Sequence, residues 1–299
     1  MTAPSLTTRF PGPRGRGAGS HRSKRSLVGF LFAVPALALF LLFAIYPGVQ
    51  VFGLSLFDYS LTSPPEFVGF NNFAFLSTDP RFGEALLQTV FYAVGTYLPA
   101  LVIALVLAQA LSTRIRGMGL VRLLYFLPLA MSWVAVSIIW RVVLHPEGML
   151  NEVLNLDVNW LTSSATARWA LVIMSIWKET GFFLILFLAG LSAIPTDVYE
   201  AARLDGAGAW GRFWYMTFPL LRPVTAVAAI MAVLRGVQSF SPQAVLTNGA
   251  FGTEVVNLFV YKTAFESARM GRASAVAVLI FIILLGLALV QLRALRRKD

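Results

Sequence analysis

Residues 194–223 read IPTDVYEAARLDGAGAWGRFWYMTFPLLRP, a polar and partly charged stretch between two strongly apolar runs. Pro195 marks a break after the first run, because proline removes a backbone donor and restricts the residue before it. Asp197 stands three residues before Glu200, a capping-box spacing with Asp in place of Ser or Thr. That spacing predicts a short helix over residues 198–204. Asp205-Gly206 ends it, since glycine takes left-handed backbone angles at no steric cost. Gly208 and Gly211 loosen the return path, and Pro219 and Pro223 bracket the re-entry into apolar sequence. Ala201 and Ala202 are small enough for another surface to approach closely. Trp210, Phe213 and Trp214 add bulk nearby. Locally, the stretch reads equally as an ordinary loop whose aromatics rest on a membrane interface.

Outward from this loop the chain is 58% hydrophobic and 13% charged, with a mean hydropathy of +0.74. These values belong to the membrane class. A span needs about 20 apolar residues to cross about 30 Å of hydrocarbon. Six runs qualify: residues 27–45, 85–111, 123–144, 169–191, 224–240 and 273–292. Arg235 and Gln238 interrupt the fifth, and Pro128 should kink the third. With 299 residues, the chain reads as one all-α polytopic domain over residues 27–292, with a basic disordered tail over 1–26 and a short tail over 293–299. The rival reading of the N-terminus, a cleaved signal peptide, is disfavoured by the length of the apolar run and the lack of a small-x-small site.

The formal charge of +10 could suggest nucleic acid, but the basic residues are scattered along loop ends, and no nucleic-acid partner is expected. They give orientation instead. Segments on the N-terminal side hold Arg9, Arg14, Arg16, Arg22, Lys24 and Arg25, then Arg114, Arg116 and Arg122, then Arg203, Arg212 and Arg222, then Arg293, Arg296, Arg297 and Lys298. The opposite segments hold only Arg81, Arg141, Arg168, Lys262, Arg269 and Arg272. The excess places both termini, and residues 194–223, in the cytoplasm of an inner-membrane protein. There is no cysteine, and His21 and His145 lie far apart, so no metal site is expected.

The string Glu200-Ala201-Ala202, Asp205-Gly206-Ala207, Phe213 and Phe218-Pro219-Leu220 resembles the EAA loop of ABC importer permeases. It looks most like the carbohydrate-uptake branch, which includes the maltose and glycerol-phosphate importers. Phe67-Val68-Gly69 with Asn72-Phe73, and Gly148 with Asn151, extend the likeness. So do Leu246-Thr247-Asn248-Gly249 with Thr253, Tyr261 and Ala264-Phe265. Ala250-Phe251 departs from the family's Gly-Pro, and Ser241 stands where an acid is common. The resemblance implies a type I ABC importer permease fold with six transmembrane helices. It implies a coupling helix that docks on an ATPase through Glu200, Ala201, Ala202, Asp205, Gly206, Ala207, Phe213 and Pro219. The implied partners are a second permease, two ATPase subunits carrying ATP and Mg, and an extracytoplasmic solute-binding protein. This chain has no phosphate-binding G-x-x-x-x-G-K-[ST] motif, so it is not expected to hydrolyse ATP or to carry a cofactor.

Lys178, Glu179 and Arg235 fall at membrane depth, where ionisable groups face a bundle interior or a watery cavity. In one reading Glu179 pairs with Arg235 or Lys178 and pins two helices. In the other, all three line a sugar path with Trp177, Phe182, Gly236, Gln238 and Ser239, a mixture of aromatic faces and polar groups suited to hydroxyls. The alternatives are a glycerol-phosphate cargo, against which Glu179 argues, and a membrane enzyme or proton-coupled carrier.

Overall fold

Inside a membrane every backbone polar group must be satisfied internally, so long apolar runs become helices. The computed structural model describes residues 30, 32–60, 62–112 and 118–296, and its long apolar runs are helical. Among the described residues, five helices are long and apolar enough to span: Phe32–Leu54 (α1), Pro80–Leu111 (α3), Ala167–Ser192 (α7), Arg222–Leu246 and Met270–Arg293. The fourth of these is two helical pieces, Arg222–Val237 (α10) and Ser241–Leu246 (α11), and the last continues as Met270–Arg296 (α13). Shorter elements lie between them. They are β1 (Phe57–Ser60), β2 (Ser63–Phe67), α2 (Asn71–Thr78), α6 (Met149–Leu154), α8 (Thr196–Leu204), α9 (Ala209–Arg212) and α12 (Val256–Tyr261). Residues 1–26 lie outside the described residues, as do 297–299. The chain divides into a unit ending at Val51 and a larger one from Phe52 onward.

The third span departs from expectation. Instead of one kinked helix, it is two pieces, Met118–Ala130 (α4) and Trp133–Val143 (α5), bent by 114° where they meet. Pro128 leaves no donor for the turn before it, and the ladder stops two residues later. Ser132 then adopts extended angles and caps α5, its hydroxyl accepting from the Ala135 N–H at 3.1 Å.

The main core lies between α3 and α7. Ala100, Ala104 and Ala108, four apart on one face of α3, are all fully buried, a small-residue stripe that lets helices approach closely. Phe183, Leu184 and Phe187 of α7 belong to the same core, and Tyr97 meets Phe183 edge to face at 6.1 Å. A second core joins Leu76, Phe82, Val256, Phe259, Val276 and Ile280, from α2, α3, α12 and α13.

A small antiparallel hairpin, β1–β2, pairs Phe57 with Phe67, their rings edge to face at 5.3 Å. Buried Asn72 donates through Nδ2 to the Ser55 and Phe57 carbonyls, both at 2.9 Å. The Phe57 carbonyl also lies against Gly271, where any Cβ would collide with it. The family-like segment around Phe67–Phe73 is thus a folded clamp on α13 as well as an aromatic cluster.

Candidate functional site

The loop residues and the charged residues singled out from sequence lie in two places joined by α7. At one end of α7 lies the loop. Its helix α8 starts at Thr196, not at residue 198, because Pro195 already takes the N-cap position and makes no side-chain bond. The expected Asp197–Glu200 capping box therefore does not form. Asp197 sits in the first turn instead, where a negative charge suits the helix dipole. The end of α8 matches expectation: Gly206 has φ +73°, and the Ala207 N–H closes back on the Ala202 carbonyl at 3.0 Å. Ala202 is fully buried, while Glu200, Ala201, Asp205 and Gly206 face outward and Ala207, Phe213 and Pro219 are half-buried. Arg212 donates to the Ala207 carbonyl at 2.9 Å, and Tyr199 and Thr217 hydroxyls meet at 3.2 Å. Phe213, Trp214 and Phe218 stack on one another below. Leu204, Trp210 and Tyr215 stay exposed.

A cavity of about 1010 Å³ opens beside this loop. Gln109, Phe126, Ile185, Tyr199, Glu200 and Arg203 are among its lining. None of Lys178, Glu179 and Arg235 lines it.

Further along α7 sits the buried polar cluster. Glu179 and Arg235 pair, Nη1 to the two carboxylate oxygens at 3.2 and 3.3 Å. Glu179 is 2% exposed and Arg235 36%. The guanidinium also lies over the Phe182 ring at 3.9 Å, so charge and aromatic face are used together. Two sequence alternatives for Glu179 thus resolve onto Arg235. Lys178 is not its partner: neighbouring residues on a helix point about 100° apart. The Lys178 ammonium instead donates to the Pro128 carbonyl at 2.6 Å and the Met131 carbonyl at 2.7 Å. It lies 5.0 Å from the centre of the Trp133 ring.

The remaining residues scatter. Trp177 stacks on Trp140 at 5.8 Å, away from the pair. Gly236 is a packing residue, since a Cβ there would meet Ala93 Cβ at 2.6 Å. Gln238 is exposed. Ser239 donates to Gln243 Oε1 at 3.0 Å. Sequence reading missed Gln243, which is fully buried, and the Tyr92–Ser175 hydrogen bond of 2.8 Å. Ser175 was legible in principle, because residues 175, 179 and 182 follow the i, i+4, i+7 pattern of one helix face.

The fold and this site define a class: a polytopic helical membrane protein with a polar docking-type loop and a buried charged pair on the two spans it joins. Residues 80–297 match the family model for a binding-protein-dependent transport system inner membrane component. The chain belongs to this family and is the membrane-spanning permease subunit of an ABC importer, not itself an enzyme. It is similar to the probable ABC transporter permease protein YurN of Bacillus subtilis, with 34% identity over 91% of this chain and 97% of that one. The sulfoquinovosyl glycerol transport system permease protein SmoG of Agrobacterium fabrum is 34% identical, over 91% and 92%. The trehalose/maltose transport system permease protein MalF of Thermococcus litoralis is 32% identical, over 92% and 96%. A crystal structure of a bacterial alginate ABC transporter in complex with a pentasaccharide-bound periplasmic protein shares the fold. It has a TM-score of 0.83 and 24% identity, over 93% of this chain and 97% of that one.

Proposed function

We propose that the chain is one of two permease subunits, forming a heterodimer, of an importer for a sugar or oligosaccharide. Both termini and the loop face the cytoplasm, as the distribution of basic residues indicates. A solute-binding protein delivers the cargo from outside. Two ATPase subunits, which hold ATP with Mg, grip α8 through exposed Glu200, Ala201, Asp205 and Gly206. Ala202, Ala207, Phe213 and Pro219 shape the helix behind that surface. Closure of the ATPases shifts the population between inward- and outward-open states through differential binding.

The observation that carries this reading is the Glu179–Arg235–Phe182 cluster on α7 and α10, the two helices that flank the exposed loop. Sugar hydroxyls need donors and an aromatic face, and the part-exposed Arg235 guanidinium beside the Phe182 ring offers both, with buried Glu179 holding the guanidinium in place. The relatives named for trehalose/maltose and sulfoquinovosyl glycerol favour a saccharide over a bare phosphate compound. The pairing of Glu179 with Arg235 points the same way, because it cancels the charge an anion would need.

Uptake of labelled saccharides by the complete transporter in liposomes tests this. Phe182→Ala is expected to slow ATP-driven uptake about tenfold, the effect of losing an interaction of about 1.4 kcal/mol. Wild-type uptake by that variant would remove the cluster from the path. ATP-independent uptake would overturn the importer reading.

A further inference from the structure

We infer that Lys178 is a positioning residue: its ammonium is the joint that fixes the 114° break of the third span to α7, carrying movement of the loop to α5. The break frees carbonyls in a region with little water to satisfy them, which breaks of this kind survive only where neighbours supply donors. Lys178 supplies two donors at the break, to Met131 O and to Pro128 O, which otherwise accepts, among the described residues, only a long 3.3 Å bond from the Met131 N–H. An ammonium has three, and the face of Trp133 lies beside it.

The attachment is close and rigid. Lys178 is buried. Gly181, one turn along the same face, lies against the Tyr125 carbonyl with no room for a Cβ. α4 therefore rests directly on the α7 backbone one turn from the joint. Beyond the break, Trp140 of α5 stacks on Trp177, and Val136 shares a core with Leu246 of α11.

In the other direction α7 runs unbroken to Ser192, and α8 begins at Thr196. From Lys178 to Ser192 the helix is about 21 Å long at about 1.5 Å per residue, and the turn at residues 193–195 joins it to α8. A push on α8 is thus passed through the short turn at residues 193–195 and then along α7 to the point where the third span changes direction. Lys178 is spent on this bond, and Glu179 beside it is spent on Arg235, so the two neighbours have separate duties.

The inference rests on the docking role of α8 only for the transmission step; the joint itself is read independently. The chain has no cysteine, so Val142→Cys and Ile173→Cys, both exposed, can carry spin labels in the assembled transporter. Their separation is expected to be single and narrow with Lys178 present, and broadened in Lys178→Met, which offers the carbonyls no donor. Uptake at saturating binding protein is expected to fall about tenfold while half-saturation is unchanged and ATP hydrolysis persists. Lys178→Arg should recover the narrow distance.

An unchanged distance in Lys178→Met would overturn the joint. A raised half-saturation with the distance unchanged would make Lys178 a substrate contact instead. A broadened distance with normal uptake would overturn the transmission role. Should Lys178→Met fail to assemble, Lys178→Gln, whose neutral amide is one bond too short to serve both carbonyls as the ammonium does, takes its place: a broadened distance is again expected, and an unchanged one overturns the joint. Failure of both to assemble would assign Lys178 to folding alone and overturn the proposal. Normal uptake in a Gly206 variant alongside a broadened Lys178→Met distance would discard the docking reading and leave the joint.

Discussion

Single residues set the costs. Removing Arg235 leaves Glu179 buried and unpaired, and breaking such a pair typically costs 3–5 kcal/mol. Arg235 is partly exposed, so Arg235→Met should cost about 3 kcal/mol, the lower end of that range. Adding Glu179→Gln should restore much of it, since the uncompensated charge is then gone. Thermal unfolding in detergent reads both, and equal destabilisation of single and double variants would show that the pair is not coupled. Gly181→Ala should destabilise by about 1–3 kcal/mol as an overpacking change, because its Cβ would press on the Tyr125 carbonyl. A neutral Gly181→Ala would mean that α4 can shift freely off α7. The buried ionisable residues were legible because charge is rare at membrane depth. Arg235 was one of the two partners the sequence offered Glu179, but those of Lys178 were not legible, because the Pro128 and Met131 carbonyls carry no residue signature.

Elements show where local signals compete. The end of α8 followed directly from Asp205-Gly206, but its start moved to Thr196 because the fixed φ of Pro195 outweighed the Asp197–Glu200 spacing. Gly206 has open space around it, so its constraint is backbone angle alone, and Gly206→Val should strain the turn without a clash. Uptake should drop while ATP hydrolysis and subunit assembly persist; normal uptake would sink the coupling role of the loop. The hairpin was missed because β2 contains Pro64-Pro65, which demotes a run to edge strand or loop. It holds because a two-stranded ribbon is all edge, and Asn72 and Gly271 anchor it from other elements. The third span read as kinked because Pro128 is visible, but the size of the bend depends on a donor fifty residues away.

At the scale of the whole molecule, orientation is the sharpest expectation. Leu204 is 89% exposed and Val153 70%, and cysteines placed there should react with a membrane-impermeant maleimide from opposite sides. Labelling of both from one side would refute the topology. By itself the sequence determined the class of protein, the apolar runs and the loop with its family string. Each of these depends on composition or on residues near in the chain, where hydropathy and backbone chemistry act without help from the fold. Only the tertiary structure decided that Glu179 faces Arg235, that Lys178 faces the broken span, and that Gly181 and Gly236 are contact points. The reason is that a buried charge or a free carbonyl takes whichever partner the packing brings within about 3 Å, and that partner is set by how helices cross.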